Sequence, residues 1–76
     1  MSSLPSRVFA VSIYDQEADV MHLTKETAPT QLGAVRKALA SLFVEGIDHF
    51  VSFRDLQADV LLIQGLVVEC VSLCDD

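Results

Sequence analysis

Val60-Leu61-Leu62-Ile63-Gln64-Gly65-Leu66-Val67-Val68-Glu69-Cys70-Val71-Ser72-Leu73-Cys74 is the stretch whose reading decides the fold, and 11 of its 15 positions are apolar. As β structure it breaks at Gln64-Gly65 into Val60–Ile63 and Leu66–Leu73, and its wealth of Val and Ile favours strands. As a helix it extends a stripe of Phe53, Leu56, Val60, Ile63, Val67, Val71 and Cys74 at steps of three and four, with Ser52 and Asp55 as the cap. The helical reading leaves Leu61, Leu62, Leu66, Val68, Cys70 and Leu73 apolar around the remaining circumference. Such a helix must be buried nearly all round. A 76-residue monomer cannot bury it, but a dimer can. Strands are the favoured reading, and the buried helix is the alternative.

Upstream, periodicity is easier to read. Met1–Ser6 is polar and contains Pro5, so residues 1–6 are read as a flexible leader and 7–76 as a single domain. Arg7–Tyr14 alternates, with Phe9, Val11 and Ile13 on one side, which predicts a strand. Asp15–Ala18 is turn-like, and Asp19–Thr24 alternates again, so a β-hairpin with a four- or five-residue loop is expected. Thr27-Ala28-Pro29-Thr30 changes the register, with Thr27 or Thr30 as N-cap. From there Leu32, Val35, Leu39, Leu42 and Gly46 step by three and four, and Phe43 widens the stripe. The spacing predicts an amphipathic helix of about 16 residues stopped by Gly46. Ile47–Arg54 resumes β character through Phe50, Val51 and Phe53, and Asp55–Asp59 is turn-like.

These elements assemble into an α+β expectation. A small antiparallel sheet carries one amphipathic helix on one face, in the order β-β-α-β-β-β. The alternative is β-β-α-β-α, with an apolar C-terminal helix buried in a dimer.

Composition narrows function by exclusion. Disorder does not fit a chain that is 51% hydrophobic. Five bases, scattered at Arg7, Lys25, Arg36, Lys37 and Arg54, neutralise few phosphates, so direct nucleic-acid binding is not expected. The apolar run is shorter than the roughly 20 residues a membrane span needs and is interrupted by Gln64, Gly65, Glu69 and Ser72. Met1–Arg7 lacks the apolar core of a secretory signal, so a cytoplasmic protein with free thiols is expected.

No residue set points to catalysis. Cys70 and Cys74 in a strand lie about 13 Å apart, beyond the roughly 7 Å that a disulfide spans. With His22 and His49 they form a nominal Cys2His2 set whose spacing matches no compact zinc site, and they read better as core and surface residues. Gly33, Gly46 and Gly65 are isolated, so no phosphate loop is present. No enzyme activity, metal or cofactor is expected.

The acids outnumber the bases 11 to 5, for a net charge of -6. They gather at loops, most densely at Asp15, Glu17 and Asp19 beside Tyr14. A protein-binding module is therefore the leading expectation: a small regulator or inhibitor of a larger complex. On size and charge alone it is of the phage or plasmid type that targets host nucleic-acid-binding machinery. The candidate partner-binding residues are Tyr14, Asp15, Glu17, Asp19, Phe50, Val67 and Val71. The alternative is a homodimeric structural or assembly subunit.

Overall fold

A computed structural model describes residues 6–73. The elements run β1 (Arg7–Asp15), β2 (Val20–Ala28), α1 (Gln31–Ser41), α2 (Phe53–Gln64) and β3 (Leu66–Ser72). The class is α+β, as the periodicities indicate. The order is corrected from β-β-α-β-β-β to β-β-α-α-β, and the alternative ending in a helix is not adopted either. The leader apart from Ser6, and Cys74 of the cysteine pair, lie outside the described residues.

The sheet is antiparallel throughout, with strand order β2-β1-β3. β1 is central because it carries the apolar side chains the helices need. Phe9, Val11 and Ile13 are all buried, flanked by Leu66 and Val68 of β3 on the same face. Above them lie Ala34, Val35, Ala38 and Leu39 of α1 and Leu56 and Val60 of α2. Ile47, in the connection between the helices, closes this core. Full burial of side chains such as Ile13, Leu39 and Leu56 contributes about 1.5–3 kcal/mol each.

The decisive run divides at Gly65 rather than following either reading throughout. Ser52 is the N-cap of α2 and its hydroxyl accepts from the Asp55 N–H at 3.1 Å, so the cap anticipated in the helical reading is real. The helix then continues through Val60–Ile63. Gly65 ends it in the left-handed conformation, φ 70°, with its N–H returned to the Leu61 carbonyl. A Cβ would be strained at that φ, which is why a glycine can turn the chain there. Beyond it Leu66–Ser72 is the strand that the β reading placed at Leu66–Leu73.

Ile47–Arg54 is not a strand. The Arg36 guanidinium of α1 donates to the carbonyls of Asp48 (3.1 Å) and Phe50. Backbone acceptors held by a side chain are lost to a sheet ladder. Phe50 and Phe53 pack on the core, whereas Val51 is exposed. The alternation of apolar residues here comes from anchoring a loop, not from pleating.

α1 is shorter than its stripe. It is capped by Thr30, whose hydroxyl accepts from the Gly33 N–H at 3.1 Å, and it ends at Ser41. Gly46 is not its stop. The Phe43 N–H returns to the Ala40 carbonyl and the Val44 N–H to the Leu39 carbonyl, both at 3.1 Å. This is a Schellman closure with Phe43, at φ 62°, in the left-handed position that glycine usually fills.

β2 turns its more polar side to the helices. Register pairs Ile13 with His22 and Val11 with Thr24, so these polar residues face the helices. Met21 and Leu23 stand on the far face and are exposed.

Candidate functional site

Both helices run toward the same end of the sheet. α1 leaves Ala28, the partner of Arg7, and finishes at Leu42 and Val44 beside His22 and Asp15. α2 finishes at Gln64, just before Leu66 pairs with Asp15. The two helix C-termini and the β1–β2 loop thus meet at one pole of the molecule. A hollow of about 290 Å³ lies there, lined by Asp15, Glu17, His22, Leu42, Val44 and Gln64.

The loop that forms this pole is held by its own acids. The Asp15 carboxylate accepts from the N–H groups of Glu17 (3.0 Å) and Ala18 (3.2 Å), an Asx-type turn. Asp19 adopts φ 56°, a left-handed conformation that aspartate tolerates better than most residues. The Tyr14 hydroxyl donates to the Asp19 carboxylate. The Gln16 N–H donates to the Gly65 carbonyl at 3.1 Å, tying the loop to the end of α2. Asp15 and Asp19 therefore build the loop, while Glu17 projects from it.

Tyr14 reports the local field. Its hydroxyl titrates above the ordinary tyrosine value, first because it donates to Asp19, then through partial desolvation and the charge of Asp15. A phenolate there would face two carboxylates.

No basic residue occupies the last turn of either helix. The negative ends of both helix dipoles therefore add to Asp15, Glu17, Asp19 and the adjacent Glu45. The bases lie elsewhere. Arg7 begins β1, Arg54 lies in the first turn of α2, and Lys25 stands on the sheet. Arg36 holds the connecting loop, and Lys37 donates to the Thr27 carbonyl. At the same end of the molecule, between Leu42 and Val44 that line the hollow, Phe43 is 90% exposed. Nothing in the sequence marks it, because its i, i+4 spacing suits the core stripe; only the early end of α1 throws it outward.

No protein family, curated protein or solved structure matches the chain.

The seven candidate residues fall in two places. Tyr14, Asp15, Glu17 and Asp19 form the acidic pole. Tyr14 also pairs with Val67 across the sheet, on the face away from the helices, where Val71 lies 60% exposed. Phe50 belongs to neither: it packs half-buried on the core, its ring centroid 4.1 Å from that of His49. Sequence reasoning missed Phe43, Met21 and Leu23.

Among the described residues no three His, Cys, Asp or Glu side chains are grouped to hold a metal ion. Cys70 is half-buried in β3, and that burial raises its thiol above the usual value, which suits packing rather than nucleophilic attack. No helix among the described residues is long and apolar enough to cross a membrane.

Proposed function

We propose that the chain is a small acidic protein-binding module, a regulator or inhibitor of a larger protein complex rather than an enzyme, and that the acidic pole, together with Phe43, is its recognition surface. The observation that carries this reading is Phe43 itself. A bulky aromatic is held in a left-handed backbone and is almost wholly exposed. Strain of that kind persists where it serves a purpose, and exposed aromatics are frequent anchors of interfaces. The carboxylates of Asp15, Glu17, Asp19 and Glu45 lie at the same end of the molecule as the anchor. They suit a partner with an apolar pocket in a basic surface, and they speed its encounter.

Basic grooves of this type belong above all to proteins that bind nucleic acid. Host machinery of that class, in the cytoplasm and met by a phage- or plasmid-type inhibitor, is the target the charge best fits. The test is affinity capture of the same stoichiometric partner by wild-type protein and by the variants Phe43→Ser and Glu17→Lys. Capture should be lost with Phe43→Ser and should weaken with Glu17→Lys and with added salt. Capture indifferent to both variants removes the pole from the mechanism.

A further inference from the structure

The helices cover one face of the sheet and leave the other bare. On the bare face Val8, Met21, Leu23, Val71 and Leu73 are 40%, 54%, 76%, 60% and 44% exposed. Small Ala10 and Ser12 lie along the middle of β1, between Leu23 and Lys25 of β2 and Glu69 and Val71 of β3. A hollow of about 410 Å³ results.

We propose that this face is covered by a second copy of the chain, packed sheet on sheet about a two-fold axis parallel to β1, with Leu23 of each copy at the rim of the other's hollow and Lys25 of each beside Glu69 of the other. The proposal does not depend on the acidic pole being a recognition surface.

Charge favours this arrangement. An axis parallel to β1 exchanges the flanks of the sheet while preserving level along the strands, so β2 of one copy approaches β3 of the other. Lys25 and Val71 both pair with Ala10, so they share a level. Glu69 is opposite Ser12, two residues along, or about 7 Å. A lysine reaches that diagonal neighbour. Two-fold symmetry makes the contact twice. An axis across the strands would instead lay β2 on β2 and β3 on β3, leaving Lys25 of one copy and Glu69 of the other on opposite flanks. Leu23 and Glu69 are both opposite Ser12, so the same axis sets Leu23 at the rim of the partner's hollow, against the aliphatic stem of Glu69.

The area of the face also reaches what a dimer needs. Three strands spaced about 4.8 Å apart, with side chains overhanging, present roughly 500 Å² per copy. About 1,000 Å² in total is the lower limit for a specific interface, so a weak, concentration-dependent dimer is expected. The β3 edge is less available than the face. Its Val68 and Cys70 carbonyls accept from the Gln57 and Gln31 side chains, the latter at 3.2 Å.

The test is sedimentation of the full chain over about 1 µM to 1 mM. The expected result is a concentration-dependent dimer. Lys25→Glu and Glu69→Lys should each weaken it by roughly tenfold or more, and the double reversal should restore it. Leu23→Lys should abolish it. Each of these residues is exposed, so every variant should keep the wild-type circular dichroism spectrum. Phe43→Ser should leave the dimer unchanged. A monomer at every concentration overturns the proposal. So does a dimer indifferent to Glu69→Lys and Val71→Asp, which would be pairing through the β2 edge.

Discussion

Replacing Phe43 with glycine should make the domain more stable. The backbone at this position is left-handed, which costs a residue with a Cβ about 1–2 kcal/mol. Glycine removes that strain but adds entropy to the unfolded chain, an opposing effect of roughly 0.5–1 kcal/mol. The ring itself is 90% exposed, so its loss gives up almost no burial. The net expectation is a gain of about 0.5–1 kcal/mol. A domain of this size moves about 4–8 °C in Tm per kcal/mol, so thermal unfolding by circular dichroism should shift up by about 2–8 °C. Phe43→Ala separates backbone from ring: it keeps the Cβ and the strain, and its Tm should stay near wild type. A lower Tm in Phe43→Gly would mean that the ring packs against the domain and that the exposed-anchor argument fails. If the pole is the recognition surface, the more stable glycine variant should also bind its partner less well, a trade of stability against function.

Three further outcomes follow from the same geometry. Val68 is fully buried and Val67 only half-buried on the opposite face. Val68→Asp should therefore prevent folding by burying an unpaired carboxylate at a cost of several kcal/mol, whereas Val67→Asp should fold and disturb only the bare face; solubility and circular dichroism of the pair decide it. The chain has one tyrosine and no tryptophan, so absorbance near 295 nm follows Tyr14 alone. Its titration midpoint should lie above the ordinary value of 10.0 and fall toward it in Asp19→Asn. Because the folded value is the raised one, the stability tied to this hydroxyl is complete below about pH 10 and is lost as pH rises through the folded midpoint; a midpoint at or below 10.0 refutes the contact. Ser52→Ala should cost about 1 kcal/mol in urea unfolding, because it removes the α2 cap; an unchanged midpoint would mean that water replaces the hydroxyl at no cost.

Several elements were legible because they depend on neighbours in sequence. The alternation in Arg7–Tyr14 named Phe9, Val11 and Ile13 as the core face, and all three are buried. The stripe Leu32, Val35, Leu39 located α1, and Thr30 and Ser52 act as caps. The acids around Tyr14 do form one loop.

Other features were not legible, each for a physical reason. A short apolar run satisfies helix and strand patterns alike, so nothing local said that Val60–Ile63 and Leu66–Ser72 would differ. The face that β2 turns to the helices was set by the hairpin register, against the apolarity of its own residues. Ile47–Arg54 lost its strand to Arg36, a side chain at least 11 residues away that takes the carbonyls of Asp48 and Phe50.

By itself, then, the sequence determined the α+β class, the core face of β1, the hairpin, the helix caps and the acidic loop, because each rests on periodicity or on hydrogen bonds spanning a few residues. Only the tertiary structure decided where the apolar run divides, that both helices end at the acidic loop, that Phe43 is thrown outward there, and that Met21, Leu23 and Val71 share a bare face. Those depend on register and on long-range packing, where the core accepts one set of apolar side chains and leaves the remainder at the surface.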